Sequence, residues 1–360
     1  MIARNSNIEL LRIISMMMII SLHFWGHCVD ISNVEMFSFT YFFGWFFRGL
    51  SHVSVNVYVL ISAYFLCKST FKFKRLVKLV AEVWFYSVLI YVLYCATGRA
   101  TPSLGGLLHT ALPVLFGEYW FATIYVGMYI LSPFLNKALS AFDQKETRKL
   151  ILVLLLLFSL IPNLFFYSRW LNFGEGYGIV WFVVLYTIGA YIRNYITIDS
   201  LLAKKRKIYW LCALFCALPV ISKAIIAAVT TAIVGHQVAS GAFFLNNSII
   251  VLPASVLVLL AFLTFNIKGA VISKCINFIA GSCFAVYLIH DNNRVRNDLW
   301  NFVYQHLDIN SYNIIWQYFL WIIIIFTACV AFDLVRRLLV FIANQIADKL
   351  LPIWKKESLS

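Results

Sequence analysis

Ten long apolar runs limit what this 360-residue chain can fold into more than any other feature of its sequence. A helix needs about 17–25 mostly apolar residues to cross a hydrocarbon layer of roughly 30 Å. Lipid cannot satisfy backbone N–H and C=O groups, so only helices and closed barrels cross it, and the alternating pattern of barrel strands is absent. We predict an all-α integral membrane protein. Its bundle of about ten transmembrane helices is expected over residues 8–28, 53–67, 76–95, 120–135, 150–166, 179–192, 209–229, 243–265, 271–289 and 314–342.

The basic residues predict how this bundle is oriented. The chain has 29 Lys and Arg against 15 Asp and Glu, and no segment has the clustered base-reading side chains of a nucleic-acid-binding domain. With a cytoplasmic N-terminus, 22 of the 29 cations fall in inner loops and tails, which is the positive-inside pattern. We therefore predict a multi-pass protein of a bacterial cytoplasmic membrane with both termini inside. Residues 1–345 form one membrane domain, and residues 346–360 form a short basic tail. The outer loops hold four cations, Arg99, Arg169, Arg294 and Arg296.

Arg12 and His23 are ionisable residues within the first apolar run. Arg12 and His23 are eleven positions apart, so a helix places them about 20° apart in azimuth and roughly 16 Å apart in height. An ionisable side chain within the bilayer costs roughly 2.5–3.5 kcal/mol even on the lenient insertion scale, which favours a functional role. A cation at one depth and a titratable base at another are typical of a reaction that crosses the membrane.

Other interpretations of these residues stay open. Arg12 can extend to the inner lipid headgroups, and a single histidine near the end of a span is often an interfacial residue. His23 and His27 form a His-x-x-x-His pair, for which Asp30 and Glu35 are the near carboxylates. We expect no metal there. Glu9 and Arg12 also argue against a cleaved signal peptide.

Four segments occur in an order that is characteristic of one family. The first apolar run begins Asn7-Ile-Glu-Leu-Leu-Arg12 and continues to His23. It is followed by Ser54-Val-Asn-Val-Tyr-Val-Leu-Ile-Ser-Ala-Tyr-Phe-Leu66 with the basic turn Phe73-Lys-Arg-Leu76. An aromatic segment, Glu118-Tyr-Trp-Phe-Ala-Thr-Ile-Tyr-Val-Gly-Met-Tyr-Ile-Leu-Ser-Pro133, and a late Phe284-Ala-Val-Tyr-Leu-Ile-His290 complete the set. Together these segments resemble the membrane acyltransferase 3 family, whose members O-acylate sugars of surface polysaccharides and related acceptors.

The chain departs from the family pattern at two positions. Ala63 stands where the family usually has glycine, which puts in doubt any close backbone approach that the glycine allows. Asn56 stands where many members carry aspartate, so a carboxylate partner for the histidine cannot be taken from that position.

The resemblance implies an acyl-CoA donor, with acetyl-CoA as the default, and no tightly bound cofactor. Arg12, Arg75 and Lys74 are the expected ligands of the CoA phosphates, since guanidinium groups form strong charge-assisted hydrogen bonds. His23 is the expected catalytic residue, either as a general base on the acceptor hydroxyl or as an acyl-carrying nucleophile. Candidate acceptor-binding residues are Trp120, His290, Glu118 and Asn56. His290 alternatively orients His23 if their helices pack together.

We therefore predict an integral-membrane O-acyltransferase, most simply an O-acetyltransferase. It would transfer an acyl group from cytoplasmic acyl-CoA to a hydroxyl of a surface polysaccharide or of its lipid-linked precursor. The alternatives are a transporter or flippase for a polysaccharide intermediate and a polysaccharide polymerase. No internal repeat with paired broken helices supports a transporter. The polymerase hypothesis requires a large polar outer loop, whereas the longest predicted outer segment, residues 291–313, is small.

Overall fold

The computed structural model of the chain describes residues 5–165, 174–236 and 241–357, with the backbone alone for residues 242 and 346–357. It is 80% helical, and these ranges contain no strand, which confirms the all-α class. Arg4, Arg169, residue 166 of the predicted fifth span and residues 358–360 of the predicted tail lie outside the described residues. The helices are α1 Ser6–His23, α2 Phe39–Ser51, α3 Val53–Leu66, α4 Phe73–Ala96, α5 Leu104–Ala111, α6 Trp120–Ser140, α7 Gln144–Leu155, α8 Ile161–Leu164, α9 Ile179–Tyr195, α10 Ile198–Ala203, α11 Lys205–Val234, α12 Val251–Leu263, α13 Ala270–Ala280, α14 Cys283–His290, α15 Asn293–Tyr304 and α16 Ile314–Glu357.

Seven helical segments in the described ranges are long and apolar enough to cross a membrane. The protein is therefore a multi-pass membrane protein. Each segment matches one of the ten predicted spans, although the second segment continues back through α2 and two others are built from consecutive helices. The seven are Ser6–Cys28, Phe39–Leu66, Phe73–Ala96, Gln144–Leu164, Lys205–Val234, Ala270–His290 and Ile314–Gln345.

The other three predicted spans fall on helices that do not meet these criteria. The fourth lies on α6, where tyrosines, Asn136 and Lys137 lower the mean hydropathy. The sixth and eighth lie on α9 and α12, which have 17 and 13 residues. The eighth begins later than predicted because the polar stretch 246–248 precedes α12. Both short helices are enclosed by other helices, α9 by α3, α6 and α7, and α12 by α3 and α11.

Helix α1 lies at the centre of the bundle and contacts α2, α3, α12, α13, α14 and α16. It ends in a π-helical turn, Phe24–Cys28, in which the N–H of Val29 donates to the carbonyl of Phe24 at 3.0 Å. Such a turn contains one extra residue and is frequent at functional sites. A second irregularity separates α13 from α14 at Gly281 and Ser282. The helix that carries both Arg12 and His23 therefore contacts most of the surrounding helices.

Helices α3 and α9 are in close contact through small residues. A Cβ atom at Gly189 would lie 2.6 Å from Cβ of Ala63 and 3.0 Å from the carbonyl oxygen of Leu60. The two helix backbones therefore approach closely although position 63 is alanine, because Gly189 on the facing helix supplies the space that a glycine at position 63 would otherwise provide.

We expect Gly189→Ala to destabilise the protein by about 1–3 kcal/mol, because backbone cannot yield to the added methyl group. Thermal unfolding in detergent should show a lower midpoint for this variant. Gly127→Ala is the matched control, because its Cβ would meet only the end of the Ile179 side chain at 3.4 Å. A helical Gly→Ala change at such a site is neutral or slightly stabilising. Equal midpoints for the two variants would contradict the packing described here.

Candidate active site

Two cavities lie along α1, one near each of the two residues singled out above. The His23 cavity has a volume of about 410 Å³, and the Arg12 cavity has a volume of about 350 Å³. Tyr58, Phe121 and Phe284 border both cavities, so the two spaces are neighbours inside the bundle. The polar residues around the His23 cavity are His23, His27, Arg48, His52, Tyr58, Trp120, Tyr177, Asn246, Tyr287, Asp291 and Arg296.

His23 is oriented by His290, which lies 267 positions later in the sequence. Its Nδ1 atom lies 3.0 Å from Nε2 of His290, which is fully buried at the end of α14. The Nδ1 atom of His290 faces the carbonyl oxygen of Val286 and must therefore carry a proton. In a neutral His290 the Nε2 atom is then an acceptor, so His23 donates from Nδ1. This tautomer leaves Nε2 of His23 unprotonated, as a base or a nucleophile requires.

A carboxylate and an arginine complete the surroundings of the two histidines. Oδ1 of Asp291 lies 3.6 Å from Nδ1 of His23. Arg296 donates from Nε to the same oxygen at 3.0 Å and from Nη2 to the carbonyl oxygen of Asp291 at 3.1 Å. Burial raises the pKa of the Asp291 carboxyl, and the neighbouring Arg296 offsets part of that rise. Asp291 thus lies between His23 and a cation.

His23, His27 and Asp291 are also the group most able to hold a metal ion among the described residues. Their ligand atoms all lie within 4.8 Å of one another. Arg296, which binds Asp291 directly, would oppose a divalent cation at this place. The carboxylates named from the sequence are not in this group, since Asp30 instead accepts hydrogen bonds from Ser32 and Asn33. Our expectation of no metal stays a prediction.

The Arg12 cavity contains most of the predicted phosphate ligands. Arg12, Arg75 and Lys78 all line it. The Arg12 side chain is 31% exposed, and its Nη1 atom donates to Glu9 Oε1 at 2.9 Å. Lys74 does not line the cavity, because it is one residue from Arg75 and therefore points about 100° away around α4. Lys78, three residues after Arg75 on the same helix, is on the cavity side.

Trp120 lies at the start of α6 and lines the His23 cavity. Its ring meets that of Tyr177 edge to face, with centroids 4.8 Å apart, and Tyr177 lines the same cavity. An exposed aromatic face in such a cavity can stack on an apolar face of a sugar ring. Of the predicted acceptor residues, Trp120 is the one with its side chain on the cavity surface.

Glu118 lies behind the site rather than in it. Its side chain is 5% exposed and binds Arg294 at 3.3 Å, Asn292 at 3.3 Å and the hydroxyl of Ser87. Because Asn292 caps the N-terminus of α15, this carboxylate ties α4 and α6 to the segment that follows His290. The geometry gives Glu118 a supporting position and no contact with the cavity.

Asn56 is likewise fully engaged inside the protein. Its Nδ2 atom donates to the carbonyl oxygen of Asn246 at 2.8 Å, and its Oδ1 atom accepts from Nε1 of Trp181 at 3.0 Å. It is completely buried and absent from the cavity wall. Asn56 therefore holds Asn246, which does line the His23 cavity, and makes no contact with the cavity itself.

Several residues around the cavity are not among the site residues predicted from the sequence. Arg48 and His52 come from the junction of α2 and α3, and Asp291 and Arg296 follow α14. The sequence contains features that could have identified two of them: Arg48 lies in an aromatic stretch beside a predicted span, and Asp291 follows His290 directly. Which of these polar residues face α1 depends on how the helices pack, and the sequence of one helix does not contain that information.

Comparison with known proteins places this architecture in a family. A protein-family model described as an acyltransferase domain matches residues 5–334, which is nearly the whole chain. No curated protein and no solved structure matches it. The matched range includes Arg12, His23, the cavities and the His290 segment. The chain belongs to the acyltransferase 3 family.

Proposed function

We propose that this acyltransferase transfers an acetyl group from cytoplasmic acetyl-CoA to a hydroxyl of a surface polysaccharide or of its lipid-linked precursor. The observation that carries the proposal is the pair of neighbouring cavities along α1. One cavity has three cations for the CoA phosphates, and the other has an oriented histidine with an unprotonated Nε2 atom. The pantetheine arm separates the thioester of CoA from its phosphates, which suits the roughly 16 Å rise between Arg12 and His23.

We infer that α1 begins at the cytoplasmic side and that ten segments cross a bacterial cytoplasmic membrane. The excess of basic residues in the loops at the Arg12 end supports this orientation, with both termini inside. Under this topology the Arg12 cavity opens toward the cytoplasm, where acetyl-CoA is made. The His23 cavity lies toward the opposite surface, where polysaccharide is assembled.

The reaction follows from the proton positions at His23. Nε2 of His23 removes the proton from the acceptor hydroxyl while that oxygen attacks the thioester carbonyl. Collapse of the tetrahedral intermediate breaks the carbon–sulfur bond, and the proton passes from His23 to the leaving thiolate. His290 and Asp291 hold the imidazole in this tautomer and stabilise its cationic form. Because Nε2 is also nucleophilic, an acyl-histidine relay uses the same atom.

The proposal is tested with membrane vesicles that contain the protein and radiolabelled acetyl-CoA. We expect label to enter the saccharide or lipid-linked saccharide fraction as an alkali-labile ester. The acyltransferase family favours this outcome over the transporter and polymerase alternatives. Label that stays in CoA while lipid-linked sugar moves across the vesicle membrane would favour transport.

His290 provides a second test of the mechanism. We expect His290→Phe to lower kcat by roughly 10- to 100-fold with an unchanged KM for acetyl-CoA, because His23 loses the acceptor that sets its tautomer. His290→Gln should recover part of the activity, because its carbonyl oxygen can accept from Nδ1 of His23. Equal losses in both variants would show that His290 matters only for packing.

A further inference from the structure

Arg48 is a charged residue that lines the His23 cavity and has no role in the proposed reaction. Its Nη1 atom donates to the carbonyl oxygen of Trp25 at 3.1 Å, and its guanidinium lies 5.2 Å from the ring centroid of Trp45. Among the described residues it takes part in no ion pair, although it lines the cavity and falls within a membrane-spanning segment. An arginine at such a place is costly without an anionic partner.

Two other residues that line the same cavity have polar atoms without partners in the described part of the chain. His52 lies one helical turn after Arg48, and both of its ring nitrogens are buried without a hydrogen-bond partner in the described part of the chain. Nδ2 of Asn246 is in the same state, and this residue is 2% exposed. Both residues line the His23 cavity. Buried polar atoms are normally satisfied, so unpaired polar atoms on two residues of one cavity wall point to a ligand with hydrogen-bonding groups. A neutral His52 offers one N–H donor and one acceptor, and the Asn246 amide offers N–H donors.

The charge balance of the cavity indicates the sign of that ligand. Its wall has two arginines and one carboxylate among the described residues, and the carboxylate, Asp291, is paired with Arg296. Arg48 therefore leaves one positive charge over. The carboxylate of Asp30 acts on Arg48 electrostatically but forms no ion pair with it and accepts hydrogen bonds from Ser32 and Asn33 instead. A neutral sugar would therefore leave Arg48 without a directly bound counterion inside the membrane.

We propose that the acceptor carries an anionic group, a carboxylate or a phosphate, which binds Arg48 beside His52 and Asn246. This inference rests on the proposed function, because it assigns the His23 cavity to the acceptor. The anion would be held by a charge-assisted hydrogen bond from the guanidinium, and one N–H of His52 and the Nδ2 group of Asn246 would donate to its oxygens. A carboxylate would come from an acidic sugar, and a phosphate would come from a lipid-linked or phosphorylated one.

The test measures binding without requiring acyl transfer. Purified protein in lipid nanodiscs is titrated with glucuronate, inorganic phosphate and neutral glucose. We expect at least one anion to bind more tightly than glucose, and Arg48→Gln to weaken that anion by about tenfold or more. Glucuronate and phosphate separate the two sources of the negative charge. Arg48→Lys keeps the charge and should retain most of the preference.

Arg99→Gln is the matched control, because it removes the same charge from an exposed arginine that is paired with Asp298 and lies outside this cavity. Anion affinity should not change in this variant. The proposal is overturned if neither anion binds in preference to glucose, or if Arg48→Gln behaves like Arg99→Gln. It is also overturned if Arg48→Gln weakens CoA instead. Absence of acetyl transfer would contradict the proposed function. The binding measurements do not require acyl transfer, so they would still show whether Arg48 binds an anion.

Discussion

Replacing His23 with alanine is expected to lower kcat for acyl transfer by about 10²- to 10⁴-fold, the usual contribution of a positioned general base. Nε2 of His23 is unprotonated in the tautomer that His290 imposes, and the residue lines the cavity assigned to the acceptor. The KM for acetyl-CoA should change little, since the phosphate-binding cations lie in the other cavity. The measurement is release of CoA thiol together with ester formation on the saccharide.

His109→Ala is the control for this variant. His109 is exposed on α5 and stacks on Phe116, and it lines neither cavity. Its loss should leave kcat unchanged. Full activity in His23→Ala would remove the histidine from both direct transfer and the acyl-histidine relay. Rapid acid quenching of the wild-type enzyme separates these two routes, because only the relay leaves an acylated imidazole on His23.

The helical class and most spans could be predicted because the bilayer imposes a simple rule on the sequence. A run of about 20 apolar residues is visible without knowledge of neighbours. The three predicted spans that did not meet this rule in the structure fall on α6, α9 and α12, whose hydropathy or length is reduced. Helices enclosed by other helices need not span the full lipid thickness, and enclosure depends on packing that a single run does not reveal.

The candidate site shows the same division between local and long-range information. Arg12 and His23 share one helix face, and helical periodicity alone predicts this. The contact of His23 with His290 joins residues 267 positions apart, and no local pattern contains it. Glu118 and Asn56 are polar residues in the expected segments, but Glu118 forms an ion pair with Arg294, and Asn56 accepts a hydrogen bond from Trp181. Polar character identifies a candidate residue, whereas its hydrogen-bond partners decide whether it is available to a substrate.

Replacing Arg12 with glutamine is expected to raise the KM for acetyl-CoA by about 10- to 100-fold, the effect of losing a charge-assisted hydrogen bond to phosphate. Arg12 lines the cavity that also contains Arg75 and Lys78, and its side chain is only partly shielded by the protein. The KM for the acceptor should stay the same. Initial rates at varied acetyl-CoA and fixed acceptor, and the reverse, measure the two constants separately.

Two further variants decide whether this effect belongs to donor binding. Lys74→Gln removes a cation from the same end of the bundle, but Lys74 is exposed and lies outside the cavity. The KM of this variant for acetyl-CoA should therefore rise by at most about fivefold. Arg12→Gln also leaves Glu9, its buried ion-pair partner, without a counterion. The double variant Glu9→Gln/Arg12→Gln removes both charges and should keep the raised KM, because the missing contact is with phosphate. A double variant with the wild-type KM would instead show that the uncompensated charge of Glu9 caused the defect.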